Sequence, residues 1–152
     1  MLLTLITGGI SFAQTSIFQP TDVPATLLVD DPQAVEVGLK FRVTVNGTLT
    51  GVRFYKSAGN TGTHIGHLWT TANTTTPLAT VTFAGESTSG WQQMLFPSPV
   101  AIVTGQTYVI SYFSSNGTYS ENAQFFLNAP VVNGPLRAMG FPTIVTTHER
   151  RS

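Results

Sequence analysis

Three histidines, seven acidic residues and no cysteine make up this chain's stock of conventional metal ligands and acid–base groups. His64 and His67 are the closest histidine pair. Residues three apart on a strand point to opposite faces, so the two do not converge on one ion. Without cysteine or a clustered carboxylate, the ligand set of a catalytic zinc is missing. The simplest expectation is one packed histidine bonded to a loop carbonyl and one exposed; His148, in an unpatterned tail, adds nothing. Serine, histidine and aspartate are all present, but there is no Gly-x-Ser-x-Gly elbow and no spacing that favours a triad. A glycosidase carboxylate pair would have to come from Asp22, Asp30, Asp31, Glu36, Glu86, Glu121 and Glu149. Most of these fall in turns or on a polar strand face, where solvated carboxylates are ordinary. The expectation is therefore a protein that is not an enzyme and carries no cofactor. Asp30 and Asp31 offer hard oxygen ligands for a structural calcium, but they lack the alternating acidic pattern of a dedicated loop, which favours an ordinary turn.

Binding is better provided for than catalysis. A sugar site needs a flat apolar surface beside a few placed polar groups. Tyr55, Trp69, Tyr112 and Tyr119 supply rings, and Asn60, Thr63 and His64 supply hydrogen-bonding groups in and beside one glycine-containing loop. Tyr55, Asn60, Thr63, His64 and Tyr119 are the expected ligand-binding residues, although aromatics in β-domains more often fill cores. Asn46-Gly-Thr48, Asn73-Thr-Thr75 and Asn116-Gly-Thr118 match the glycosylation pattern, as chance allows in a chain with 24 threonines.

The elements that position these residues are strands. Charged residues are 9% of the 152, and seven basic residues cancel seven acidic ones. The surface is hydroxyl-rich, and no basic stretch suits nucleic acid. Low charge also leaves little repulsion between copies. From Val35 to Val45 every second residue is apolar, opposite Glu36, Lys40, Arg42 and Thr44, which marks a half-buried strand. Asn46-Gly47 then predicts a tight hairpin that folds Thr48 to Lys56 back antiparallel on it. Strands are also expected at His64 to Thr70, Leu78 to Phe83, Gly90 to Phe96, Val100 to Val103 and Thr107 to Ser114. Pro97 and Pro99 are expected to stop the Gly90 to Phe96 strand, and Ser115 to Asn122 to form a polar loop. No long window carries a helical period. The fold expected is all-β, a single antiparallel two-sheet β-sandwich of jelly-roll type, with Trp91, Phe96, Phe41, Phe54, Phe83 and Tyr108 between the sheets.

The ends read differently. Leu2, Leu3, Leu5 and Ile6 form a short apolar run before Ser11-Phe12-Ala13, a small-residue site, so residues 1–15 read as a signal peptide or as an N-terminal strand extension. Residues 16–140 form the sandwich and 141–152 a tail. No apolar segment approaches the ~20 residues of a membrane span.

Six blocks resemble the domain of unknown function 4082 family: AVEVGLKF (Ala34 to Phe41), GVRFYK (Gly51 to Lys56), GNTGTHIGHLW (Gly59 to Trp69), GWQQ (Gly90 to Gln93), TYVISY (Thr107 to Tyr112) and NGPL (Asn133 to Leu136). The resemblance covers Ser16 to Met139. It implies a β-sandwich module of secreted bacterial proteins, found beside glycan-degrading or adhesive modules, with no established activity of its own. Members often carry histidine where this chain has Thr118 and Arg137, so a site built from those histidines would be altered here. Two functions follow as expectations. One is a secreted, non-catalytic module that binds a polysaccharide or cell-surface glycan. The other is a structural subunit of an extracellular fibre or homo-oligomer, self-associating through Leu2, Leu3, Leu5 and Ile6 as a strand added to a neighbour's sheet edge.

Overall fold

The computed structural model describes residues 2–6, 14–122, 125–126 and 130–144. These form eleven strands and no helix: β1 (Leu2–Ile6), β2 (Thr26–Asp30), β3 (Val35–Val43), β4 (Gly47–Lys56), β5 (His64–Thr70), β6 (Ala79–Thr82), β7 (Gly90–Ile102), β8 (Tyr108–Ser114), β9 (Thr118–Glu121), β10 (Val131–Asn133) and β11 (Leu136–Ile144). Among the described residues no helix is long and apolar enough to cross a membrane.

All pairing is antiparallel. The strands are distributed over a six-stranded sheet in the order β10-β11-β3-β8-β5-β6, a three-stranded sheet in the order β1-β4-β7, and a ribbon of β2 and β9. The all-β class follows the alternation in the sequence; the sheets number three rather than two. The ribbon is the reason. Ser115 to Asn122 is not a loop throughout, because Thr118–Glu121 forms β9 and pairs with β2. Gly117, at φ +76°, makes the turn into it, where a Cβ would run into the Asp31 carbonyl.

The hairpin expected at Asn46-Gly47 does not form. β3 pairs with β8 and β11, whereas β4 pairs with β1 and β7, so this turn carries the chain from one sheet to another. Gly47 is not among the positive-φ glycines that a two-residue hairpin would need. Instead Gly47 lies opposite Ile102, and the Asn46 side chain accepts the Thr104 N–H at 2.9 Å. The prolines expected to end a strand are also accommodated within it. β7 runs through Pro97 and Pro99 because the register with β4 jumps from Leu95–Gly51 to Val100–Leu49, leaving the intervening residues unpaired. β7 is moreover an edge strand, where a missing N–H is tolerated. The same bulge lets Leu49 and Val52, of opposite parity, both be fully buried.

The core lies where side chains of the two larger sheets meet. Phe54 of β4 stacks on Tyr112 of β8 with centroids 4.3 Å apart and meets Phe83 edge-on at 4.8 Å. Phe41, Phe96 and Tyr108 are buried with them. The sheets approach most tightly at Gly66 of β5, where a Cβ would overlap the Val52 side chain. Trp91 departs from expectation: it is only half-buried, on the other face of β7 from Phe96.

Candidate functional site

Two polar assemblies and one cleft account for most of the chemistry-bearing side chains. The first assembly is a buried chain. The Glu86 carboxylate accepts from the Lys56 ammonium at 2.7 Å and from Nδ1 of His64 at 2.8 Å. His64 Nε2 faces the Asn60 side-chain amide at 2.8 Å, and Thr118 Oγ1 lies 2.9 Å from the same amide atom. A carboxylate only accepts, so the proton of His64 sits on Nδ1. The Asn60 NH2 and the Tyr112 hydroxyl are left without partners while standing side by side. Turning the amide by half a revolution presents its NH2 to the accepting Nε2 and its oxygen to the donating tyrosine hydroxyl. Burial pushes the Tyr112 hydroxyl well above the usual tyrosine range.

The second assembly lies on the opposite face of β5. Glu36, although 98% shielded, accepts from His67 Nδ1 at 2.9 Å and from the Ser111 hydroxyl, while the Trp69 indole N–H donates to Ser111 at 2.9 Å. The two histidines thus point to opposite faces. His64 is bonded to a carboxylate and an amide rather than a loop carbonyl, and His67 is held by Glu36 rather than freely exposed. Ser111 is fully buried, and its hydroxyl is bonded to the carboxylate rather than to the imidazole.

The cleft is built on the outer face of the three-stranded sheet. Tyr55 and Trp91 lie opposite each other in the β4–β7 register and meet edge-to-face at 5.5 Å. The Trp91 indole N–H donates to the Asp22 carbonyl at 3.0 Å, fixing the ring against the 19–22 turn, and the Arg53 guanidinium stands 5.0 Å from its centroid. Phe18 lies 5.9 Å from Trp91 and 4.9 Å from Phe125. The end of β9, Ser120 to Asn122, closes the other wall, leaving about 390 Å³ of space open to solvent. A second lobe of about 470 Å³ shares Phe18, Ser120, Glu121, Asn122 and Phe125 and reaches Val37 to Leu39 of β3. Among the described residues no lysine, arginine or histidine lines either lobe. Rings, two carboxylates and an amide can stack on and hydrogen-bond an uncharged polar ligand.

The five residues expected to bind a ligand are spread over different places. Tyr55 lines the cleft. Asn60 and His64 adjoin each other in the buried chain and are fully shielded. Thr63 is exposed at the turn, its N–H donating to Ser115 Oγ at 2.8 Å. Tyr119 is buried on β9 opposite Val29, and burial together with the Asp31 and Glu121 carboxylates raises its hydroxyl's pKa. Asp30 pairs with Thr118, and the Asp31 N–H donates to the Gly117 carbonyl. Among the described residues no three His, Asp or Glu side chains converge as cation ligands. Leu2, Leu3, Leu5 and Ile6 lie in β1, which pairs with β4 from Thr48 to Arg53. Sequence reasoning missed Phe18, Trp91 and Glu121 as cleft residues. Parity held the signal for one of them: with Phe96 inside, Gln92 and Met94 share its face and Trp91 takes the other.

The family model for the domain of unknown function (DUF4082) matches residues 21–150. The chain belongs to that family. The DUF4082 match includes every strand after β1 and both walls of the cleft, although Phe18 precedes it. No curated protein and no solved structure matches the chain.

Proposed function

We propose that this DUF4082 protein is a secreted, non-catalytic carbohydrate-binding module whose site is the aromatic cleft. The observation that carries the reading is the pairing of Tyr55, Trp91, Phe18 and Phe125 with Asp22, Glu121 and Asn122 around one open groove. Rings give a sugar's apolar face a surface, and the polar groups fix its hydroxyls. The fold that accompanies this reading is a jelly-roll sandwich whose two larger sheets enclose the core, with the β2–β9 ribbon as one wall of the site. On a broad panel of immobilised polysaccharides the protein is expected to bind saturably. Trp91→Ala and Tyr55→Ala should each weaken binding at least tenfold, roughly the contribution of one stacked ring. Wild-type protein retained by no glycan would end the reading.

A second reading is supported by β1. Its backbone pairs along the otherwise open edge of β4, outside the family-matched residues. A strand added at an edge in this way can be exchanged for that of a second copy, which would make the protein a self-associating structural subunit. Removing residues 1–13 should then abolish higher-order species in sedimentation while leaving the β-sheet circular dichroism intact; assemblies that persist would rule this out.

A further inference from the structure

The charge of the groove narrows the sugar it takes, an inference that rests on the carbohydrate reading above. Among the described residues its charged lining consists of Asp22 and Glu121, both carboxylates, and its two lobes share Phe18, Glu121 and Phe125. The nearby Arg53 stands over the Trp91 ring instead of lining the groove. Asp22 is partly committed, because its Oδ2 accepts the Gln19 N–H at 2.7 Å. Glu121 lines both lobes and is half-buried. A carboxylate there accepts strongly from sugar hydroxyls. It repels a uronate or sulfate brought against it, the more so in a partly desolvated site.

We infer that the groove takes an uncharged oligosaccharide longer than one ring, and that Glu121 sets this specificity by accepting hydroxyls and turning away anionic chains. The test is calorimetric titration of the full chain, wild type and Glu121→Gln, using the best-retained neutral glycan of the panel. Its ligands are the di- and tetrasaccharide of that glycan and the tetrasaccharide oxidised to the uronate at C6.

The wild type should bind the neutral tetrasaccharide about tenfold more tightly than the uronate, and more tightly than the disaccharide. Glu121→Gln should close most of the gap between neutral and uronate forms. Equal or tighter binding of the uronate, no gain with length, or a gap unchanged in Glu121→Gln would each overturn the inference while leaving carbohydrate binding standing. A panel with no retained glycan would remove both. Should Glu121→Gln fail to fold by circular dichroism, Asp22→Asn takes its place, with a partial narrowing expected, since Glu121 remains; an unchanged gap would overturn the inference.

Discussion

At the scale of single residues, the same side-chain types serve opposite ends according to what surrounds them. Tyr55 is half-buried at the cleft, whereas Tyr112 is sealed between the sheets against Phe54. With the Asn60 amide turned, the Tyr112 hydroxyl donates to its oxygen, so Tyr112→Phe leaves a buried acceptor unpaired and should cost about 1–3 kcal/mol. Its raised pKa has a definite sign. Folding holds the phenol protonated, so its stabilising contribution is complete below the ordinary value of about 10 and declines as the pH climbs from there toward the raised folded value. Urea unfolding followed from neutral to strongly alkaline pH should show wild-type stability falling above about pH 10. The fall should be shallower in Tyr112→Phe, with the remainder due to Tyr119. Coincident profiles would contradict the assignment. None of this was readable from residue types alone. His64 and Asn60 look like loop-side ligand groups in the sequence, and only the arrival of Glu86 and Thr118 from distant segments makes them interior.

At the scale of elements, strand identity was largely legible and strand partnership was not. β5 and the second half of β3 match the alternation of their residues, because a sheet with one buried face imposes a two-residue period, whereas β8 is buried along both faces. The choice of partner depends on contacts far along the chain. Asn46-Gly47 therefore looked like a hairpin, yet it links β3 to a strand of another sheet. The face of β7 was ambiguous because Trp91-Gln92-Gln93-Met94-Leu95-Phe96 mixes large apolar and polar residues on both parities. Where the two sheets approach most closely the account is specific. Gly66→Ala places a methyl group against Val52 and should cost about 1–3 kcal/mol, measured as a lowered midpoint in chemical denaturation. An unchanged midpoint would mean that the sheets are not held this close.

At the scale of the whole molecule, a low-charge antiparallel β-protein puts four of its seven acidic residues in three places. Glu36 and Glu86 orient the two histidines, and Asp22 and Glu121 edge the aromatic groove. The aromatic groove is the feature on which the proposed binding function rests. The groove was the least legible feature, since it is assembled from the 18–24 segment, β4, β7 and β9. The chain has only two tryptophans, and both indole N–H groups are hydrogen-bonded, Trp91 to Asp22 at the groove and Trp69 to Ser111 away from it. The most direct measurement is therefore the two indole signals in a ¹⁵N-resolved NMR spectrum as a retained oligosaccharide is titrated in. The account predicts that the Trp91 signal shifts saturably while that of Trp69 stays in place; movement of Trp69 with Trp91 unchanged would put the ligand elsewhere and contradict it.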